Sequence, residues 1–279
     1  MVLPRNGDGY RWDGAPHLAD TRVRRQGVGH VRVHQHRPVK GRVKTVSLKR
    51  EGDRWYVAPA CVQASAVPLP PTGATVGIDM GIASFLTSSD GTRIPDPLHG
   101  KTTAGAPAKV SGIHRKVARQ RLDHAHKSAL ALVREHDLIA HEALTIVNMV
   151  KVPDPKPDPE KPGAYLPNGT AAKTGLNKSI SDAGRGVFPG ILAHKAESAG
   201  RVVVPVNPRN TSRTRLECGH TAQENRLTQD RFRCVECSFT EHADVVGATN
   251  ILRAGPALHG TAQVSWEARR SSGGWSHVG

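Results

Sequence analysis

The cysteine pattern of the C-terminal half constrains the fold more than any other feature of this chain. Fifteen residues separate Cys218 from the pair Cys234 and Cys237. Zinc ribbons hold their ion tetrahedrally with two such pairs, so a partner of Cys218 is expected three residues earlier, where Arg215 stands. A guanidinium cannot ligate a cation. Either His220 supplies the fourth ligand or zinc binding is weakened or lost, and ordinary reduced cysteines are the alternative.

The charge of the chain indicates a polyanionic partner. Its 279 residues include 39 Lys and Arg against 24 Asp and Glu, a formal net charge of +15. Such a charge attracts nucleic acid, although Arg-rich coding with solvated side chains is the simpler explanation. The distribution favours nucleic acid, because ten basic residues and no acid lie between Thr21 and Arg50. The candidate phosphate-binding residues there are Arg22, Arg24, Arg25, Arg32, Arg37, Lys40, Arg42 and Lys44.

The remaining composition predicts a reduced, cytoplasmic protein. Cys61 lies far from the other three cysteines, so no disulfide framework is indicated. No apolar run approaches the roughly 20 residues of a membrane span, and the first residues lack a signal-peptide core. We therefore expect a cytoplasmic location and no membrane partner.

Apolar periodicity predicts a mixed α/β chain. Helices are predicted at 113–135, from near Asn177, at 191–199 and from Asp244, with strands around residues 75–79, 138–142 and 201–206. We expect six segments: 1–28 without a fold of its own, an antiparallel β unit at 29–70, a core at 71–209 with a flexible proline-rich insertion at 151–174, a ribbon at 210–242, a final helix at 243–254 and a disordered tail at 255–279.

Three acids occupy comparable places in this plan. Asp79 lies in a strand, Glu142 ends a strand after a long helix, and Asp244 begins a helix after the ribbon. Each alone is weak evidence, because a turn, a solvated strand end and a helix N-cap explain them equally well. Together they are typical of two-metal sites, in which carboxylates from separate elements converge on ions about 3.5–4 Å apart.

The combined pattern resembles the TnpB family of transposon-encoded, RNA-guided DNA nucleases, relatives of the type V CRISPR effectors. The resemblance covers about residues 30–254. It rests on the segments VGIDMGIASFLTSSDG, VREHDLIAHEALTIVNMV, LNKSISDAGRGVF, KAESAGRVVVPVNPRNTSRTRLECGH and RFRCVECSFTEHADVVGATNIL. These blocks in the family order, with a ribbon directly before the third acid, are a specific signal.

This resemblance implies a fold, a site and partners. The fold is an α/β RNase H-like (RuvC-like) nuclease domain with an inserted zinc ribbon, preceded by a small β unit similar to part of the family's wedge domain. Asp79, Glu142 and Asp244 are implied as catalytic ligands of Mg²⁺ or Mn²⁺. Zinc, held weakly, is implied at Cys218, Cys234 and Cys237. The implied partners are DNA and a guide RNA from the transposon end.

Three features depart from the family pattern. Arg215 replaces a ribbon cysteine, Val246 stands where an Asn is usual, and the region before the wedge-like strands is shorter than is common in the family. The leading hypothesis is a metal-dependent DNA endonuclease of a transposase family. The alternative is a decayed or repurposed nucleic-acid-binding regulator, which loss of an active-site acid would favour; all three acids are present.

Overall fold

The chain folds into two compact units, Met1–Val67 and Pro68–Gly279. The structure is a computed structural model. It describes residues 2–4, 10–13, 21–25, 27–35, 38–62, 66–81, 84–98, 110–161, 163–182 and 186–272. The sequence placed the boundary between the units after residue 70, within the same proline-containing linker.

The described part of unit 1 is built from antiparallel strands. They are β1 (Val2–Pro4), β2 (Tyr10–Asp13), β3 (Arg22–Arg25), β4 (Gly29–Arg32), β5 (Arg42–Glu51) and β6 (Arg54–Val62). One sheet has the order β1-β5-β6 and the other the order β2-β3-β4. The β5–β6 hairpin turns at Gly52, whose φ of 66° suits glycine. A small core of Val23 and Val46 with Trp12 and Leu48 joins the strands of the two sheets.

The expectation that residues 1–28 lack regular structure is wrong for the described part of that segment. β1 pairs with the distant β5, and β2 pairs with β3. Strands of three or four residues are too short to show an alternating pattern, and their stability comes from pairing partners that the local sequence does not reveal.

Unit 2 is a mixed α/β structure. Its first elements are β7 (Thr75–Asp79), β8 (Ser84–Ser88), β9 (Arg93–Pro95), α1 (Val110–Glu135), β10 (Leu138–Glu142), α2 (Ile146–Met149), β11 (Lys156–Pro157) and β12 (Tyr165–Leu166). The later ones are α3 (Thr170–Asp182), α4 (Phe188–Ala199), β13 (Val202–Val206), a 3₁₀ turn (Gln223–Asn225), β14 (Arg231–Arg233), β15 (Thr240–His242) and α5 (Ala243–Ser272). The predicted long helix and the predicted strands ending at Asp79, Glu142 and Val206 are confirmed.

Five strands form the central sheet, in the order β13-β10-β7-β8-β9. β13, β10 and β7 are parallel, whereas β8 and β9 return antiparallel. The parallel strands are buried on both faces: Ile139 packs in the main core with α1 and α4, while the next residue, Ala140, packs with Ile251 of α5. Since successive strand residues point to opposite faces, helices cover both sides of the sheet.

Glycines allow α5 to lie directly on the sheet. A Cβ atom at Gly77 of β7 would lie 2.1 Å from the Ala248 carbonyl oxygen of α5. A Cβ atom at Gly255 of α5 would lie 2.6 Å from the Ala140 Cβ of β10. Any larger residue at these positions would push the helix outward, so the two glycines set its distance from the strands that carry the site.

A buried arginine fixes the edge where β7, β10 and β13 begin. The Arg201 guanidinium donates to Asp137 Oδ1 at 2.6 Å, to the Pro70 carbonyl at 2.7 Å and to the Val133 carbonyl at 3.1 Å. The backbone N–H of Thr72 donates to the same Asp137 carboxylate, and these hydrogen bonds lower the pKa of Asp137. Arg201 therefore joins the linker before β7, the end of α1, the residue before β10 and the start of β13.

The segment 151–174 contains more regular structure than its prolines predicted. β11 and β12 pair antiparallel, and α3 begins at Thr170 rather than near Asn177. The helix starts early because the Asn168 side chain accepts a hydrogen bond from the Thr170 N–H at 3.2 Å and so caps the first turn.

The last helix is also longer than predicted, since α5 continues to Ser272 instead of ending at Ala254. The expected disordered tail is thus helical up to Ser272, and residues 273–279 lie outside the described residues. Gly255 lies within this helix at the point where it contacts β10. Over the described part of the chain, no helix combines the length and apolarity that crossing a membrane requires.

Candidate active site

Asp79, Glu142 and Asp244 come together at one edge of the central sheet. Asp79 ends β7 and Glu142 ends the neighbouring parallel strand β10, so both side chains lie at the carboxyl edge. Asp244 lies in the first turn of α5, which crosses this edge. Asp79 and Asp244 are only 8% and 6% exposed. The fold therefore brings together the three acids that the sequence singled out.

Two glycines make room for the carboxylates. A Cβ atom at Gly247 would lie 2.6 Å from Asp79 Oδ2, and a Cβ atom at Gly81 would lie 3.1 Å from Asp244 Oδ2. Each carboxylate thus lies against bare backbone of the neighbouring element. The chain could not place α5 this close to β7 with side chains at these positions.

The proximity of the acids has a clear electrostatic consequence at Glu142. Burial raises the pKa of Glu142 to about 8, and the charge of Asp79, a hydrogen bond with Asp79 and the charge of Asp244 add to the effect, whereas Arg226 opposes it. Three carboxylates that share a poorly solvated space repel one another, so one of them retains a proton when no cation is present. Such a site has a strong electrostatic preference for cations.

The spacing of the three acids is wider than that of ligands to a single ion. Among the described residues, only the three cysteines of the ribbon place three or more possible ligand atoms within 4.8 Å of one another. Carboxylates that flank a pair of ions about 3.5–4 Å apart need not meet this criterion. The donor set, which is all oxygen, suits Mg²⁺ or Mn²⁺.

Two residues beside the acids were not found from the sequence. The Arg226 guanidinium lies 4.0 Å from Asp244 Oδ1 and also acts on the charge of Glu142. His242 Nδ1 accepts a hydrogen bond from the Asp244 N–H at 3.2 Å, which holds the start of α5. Neither residue has a distinguishing sequence signal, since Arg226 is one of 39 basic residues and His242 one of 15 histidines.

A polar cleft leads to this arginine. Its volume is about 560 Å³, and Arg226 and Arg213 contribute its positive charge. The other lining residues are Pro208, Asn210, Ser212, Leu227, Thr228 and Gln229. Arg226 lines the cleft and its guanidinium also lies 4.0 Å from Asp244 Oδ1, so this arginine connects the cleft with the edge of the acidic site.

The ribbon cysteines converge as the sequence predicted. Cys218 Sγ lies 3.6 Å from Cys234 Sγ and 3.7 Å from Cys237 Sγ. Tetrahedral zinc with Zn–S bonds of about 2.3 Å requires sulfurs roughly 3.8 Å apart, so three thiolates are close enough to bind one metal ion. The ring nitrogens of His220 do not belong to this group. The arrangement therefore shows three ligands rather than four, and His220 as the fourth ligand stays a prediction.

Part of the basic segment of unit 1 lies on one face of the β2-β3-β4 sheet. Arg22 lies opposite Arg32, and Arg24 lies opposite His30, on neighbouring antiparallel strands. All four side chains are exposed, while the intervening Val23 is 2% exposed on the other face. Lys40, Arg42 and Lys44 are also exposed, whereas Arg37 and the side chain of Arg25 lie outside the described part of the structure. Directly opposed cations repel one another, so this face favours an anionic partner.

Comparison with known proteins relates this geometry to a family. A family model described as "Cas12f1-like, TNB domain" matches residues 186–251, which include the ribbon and Asp244. The chain is 34% identical over 252 residues to the "Putative RNA-guided DNA endonuclease InsQ" of Escherichia coli (strain K12). It is 31% identical over 237 residues to the "Putative RNA-guided DNA endonuclease" of Streptomyces pristinaespiralis. The chain is therefore similar, over most of its length, to the TnpB-type proteins that its sequence segments resemble.

The matches of this TnpB-like chain cover most of its length but a smaller share of its relatives. They include 83% and 76% of the chain, and 61% and 52% of the two relatives, respectively. The chain therefore spans little more than half the length of these proteins. A solved structure, "Cryo-EM structure of the Cas12f1-sgRNA-target DNA complex", matches over 90% of this chain and 66% of that chain, with a TM-score of 0.44 and 15% identity.

Proposed function

We propose that this TnpB-like protein is an RNA-guided DNA endonuclease that hydrolyses phosphodiester bonds with divalent metal ions. The observation that carries the proposal is the convergence of Asp79, Glu142 and Asp244 in a poorly solvated place, where burial, followed by the charges of the two aspartates, raises the pKa of Glu142 to about 8. The two relatives bear the same activity in their names. The mixed sheet, with acids at the ends of adjacent parallel strands, supports assignment to the RuvC-like, RNase H-type nucleases.

The chemistry follows from the donor set. Asp79, Glu142 and Asp244 would hold Mg²⁺ or Mn²⁺, and such ions activate a water molecule and stabilise the leaving oxygen of a phosphodiester. Glu142 must release its proton to bind a cation, so the metal-free site holds that proton until the ions arrive. Hydrolysis in this manner leaves a 5′-phosphate and a 3′-hydroxyl without a covalent enzyme intermediate.

Arg226 is well placed to position the substrate. Its guanidinium lines the cleft and also lies 4.0 Å from Asp244. A phosphate in the cleft would accept hydrogen bonds from this fork-shaped donor, which matches the geometry of phosphate oxygens. Arg226 would thereby hold the scissile group against the carboxylates.

The exposed basic face of unit 1 supports binding to guide RNA or DNA. Arg22, Arg24 and Arg32 can neutralise phosphates and release counterions, which contributes affinity without sequence preference. Sequence recognition would then come from base pairing with a guide RNA from the transposon end. The proposed cellular location, consistent with DNA and RNA partners, is the cytoplasm.

One experiment tests the whole proposal. The protein is purified with RNA transcribed from its flanking element and incubated with a DNA library and Mg²⁺. We expect cleavage at sites that match the guide, and loss of cleavage in Asp79→Asn, Glu142→Gln and Asp244→Asn. The matched control is Glu197→Gln, which removes an exposed carboxylate from α4.

The outcome distinguishes the proposal from a purely binding function. Stable RNA and DNA binding without cleavage in the wild type would favour a regulator. Cleavage that survives all three carboxylate substitutions would show that the active site lies elsewhere.

A further inference from the structure

Arg215 occupies the ribbon position where the fourth zinc ligand is expected, and it is firmly held there. Its guanidinium carbon lies 3.4 Å from the centre of the Phe239 ring, a close cation–π contact. It also forms an ion pair with Glu217. Only 14% of the Arg215 side chain is exposed. The cation is thus part of the ribbon interior rather than a surface group that could move aside.

The backbone around Arg215 keeps the shape of a metal-binding knuckle. The Arg215 N–H donates to the His220 carbonyl at 2.9 Å, and the Gly219 N–H donates to the Arg215 carbonyl at 2.9 Å. Gly219 has a φ of 71°, which allows the tight turn after Cys218. The turn that would present a cysteine to zinc therefore presents an arginine.

The two halves of the ribbon are also joined by a buried side chain that needs no metal. Asn225 is fully buried, and its Nδ2 donates to the Arg213 carbonyl at 2.8 Å and to the His220 carbonyl at 3.3 Å. Its Oδ1 accepts a hydrogen bond from the Val235 N–H at 2.9 Å. One amide therefore connects the turn of Cys218 with the turn of Cys234 and Cys237, which is the connection that zinc provides in a four-cysteine ribbon.

A small apolar core supports the same segment. Phe232 and Cys234 are fully buried and pack with Val246 of α5, and Phe239 lies against this cluster. The Phe232 and Phe239 rings are 6.4 Å apart. Burial of Phe232 removes apolar surface from water, so the ribbon has a source of stability that needs no metal ion.

We propose that Arg215 replaces the fourth zinc ligand as a structural group, so that the ribbon keeps its fold without a stoichiometric metal ion. Three thiol groups and a guanidinium do not form a tetrahedral zinc site, because the arginine brings a positive charge and no lone pair to the fourth position. The cation–π contact, the ion pair with Glu217 and the Asn225 amide supply the cross-links instead. The proposal concerns only the ribbon and stands whether or not the protein cleaves DNA.

The test compares the wild type with Arg215→Cys, which restores a four-cysteine set. Both proteins are produced in zinc-supplemented medium, dialysed, and measured for zinc content, melting temperature and cysteine reactivity with a thiol reagent, with and without a zinc chelator. For the wild type we expect substoichiometric zinc, and a melting temperature and thiol reactivity that the chelator leaves unchanged. For Arg215→Cys we expect one zinc per chain and thiols that react only after chelation.

A zinc titration gives the size of the effect. Zinc affinity should rise in Arg215→Cys by more than the roughly 10- to 100-fold that outer-shell partners contribute, since a direct ligand is gained. Arg215→Met keeps the length of the side chain but removes its charge. Arg215→Met should lower the melting temperature of the metal-free protein. The separate variant Asn225→Ala should lower that melting temperature by a larger amount.

Two results would overturn the proposal. The first is one tightly held zinc per wild-type chain, with thiols that become reactive on chelation. The second is an Arg215→Met protein that is as stable as the wild type without metal. A poorly folded Arg215→Cys would leave the decision to the zinc content and chelator response of the wild type.

Discussion

Gly247 of α5 and Asp79 of β7 are so close that a single methyl group does not fit between them. A Cβ atom at Gly247 would lie 2.6 Å from Asp79 Oδ2. The third acid, Asp244, lies three residues earlier on the same helix. The glycine thus sets the distance between the helix that carries one carboxylate and the strand that carries another.

Replacing Gly247 with Ala should therefore abolish efficient cleavage while the protein stays folded. The methyl group displaces either Asp79 or α5, and a displacement of about 1 Å at a catalytic group can cost about 100-fold in rate. Cleavage rate and melting temperature are measured together. Gly190→Ala is the matched control, because a Cβ atom there meets nothing within 4 Å in helix α4. Wild-type cleavage by Gly247→Ala would show that the site does not depend on this close approach.

Replacing Arg226 with Ala should reduce the cleavage rate by about 100- to 1000-fold, the typical cost of losing one charged donor at a reacting group. Binding of nucleic acid should fall far less, since many other cations are available to the backbone phosphates. Arg226→Lys keeps the charge without the fork and should recover part of the rate. Arg233→Ala, an exposed arginine in β14 of the same ribbon, serves as control. An equal loss of binding and cleavage would assign Arg226 to general phosphate affinity.

The raised pKa of Glu142 predicts a pH-dependent stability of the metal-free protein. The pKa of Glu142 in the folded state is about 8, against an ordinary value of 4.5. Between these two pH values the folded protein keeps a proton on Glu142 that the unfolded protein has released. The stability of the folded protein therefore falls as the pH rises from about 4.5 to about 8. The Glu142→Gln substitution removes this loss of stability, because glutamine does not ionise.

The measurement for Glu142 is the melting temperature with a chelator of divalent ions at pH 5 and pH 9. We expect Glu142→Gln to exceed the wild type clearly at pH 9 and much less at pH 5. A difference of equal size at both pH values would mean that Glu142 is ionised throughout, and that burial beside Asp79 does not hold its proton.

The basic face of unit 1 should contribute salt-dependent affinity for nucleic acid. In the variant with Arg22, Arg24 and Arg32 all replaced by Gln, the slope of log affinity against log salt should shrink by about 0.7–0.9 for each phosphate that is no longer neutralised. The matched control replaces Lys116, Lys127 and Arg134, three exposed cations on α1, with Gln. An unchanged slope in the first variant would mark the face as merely solvated.

Local sequence patterns determined most of the elements that hold the site. Apolar runs gave the strands ending at Asp79, Glu142 and Val206, and helical spacing gave α1. These predictions succeed because strands buried on both faces and amphipathic helices impose a short-range pattern on the residues. The three acids and the three cysteines could be named for the same reason, since each follows or precedes such an element.

Local patterns failed where an element depends on a distant partner. The strands within residues 1–28 are stabilised by pairing with each other and with β5, and α5 passes Gly255 because that glycine contacts Ala140. Glycine in a sequence does not distinguish a helix end from a close approach of two backbones. Only the packed structure makes that distinction.

The sequence by itself determined which groups are present: three carboxylates at the candidate active site, and three thiols with an arginine in place of a fourth thiol in the ribbon. Only the tertiary structure decided how they act. It buried Glu142 near Asp79 and Asp244 and so raised its pKa, placed Arg226 beside Asp244, and put Arg215 against Phe239. Charge–charge, cation–π and hydrogen-bond energies depend on distances of a few ångströms between residues far apart in the chain, and those distances are set by the packing of α5 and the ribbon.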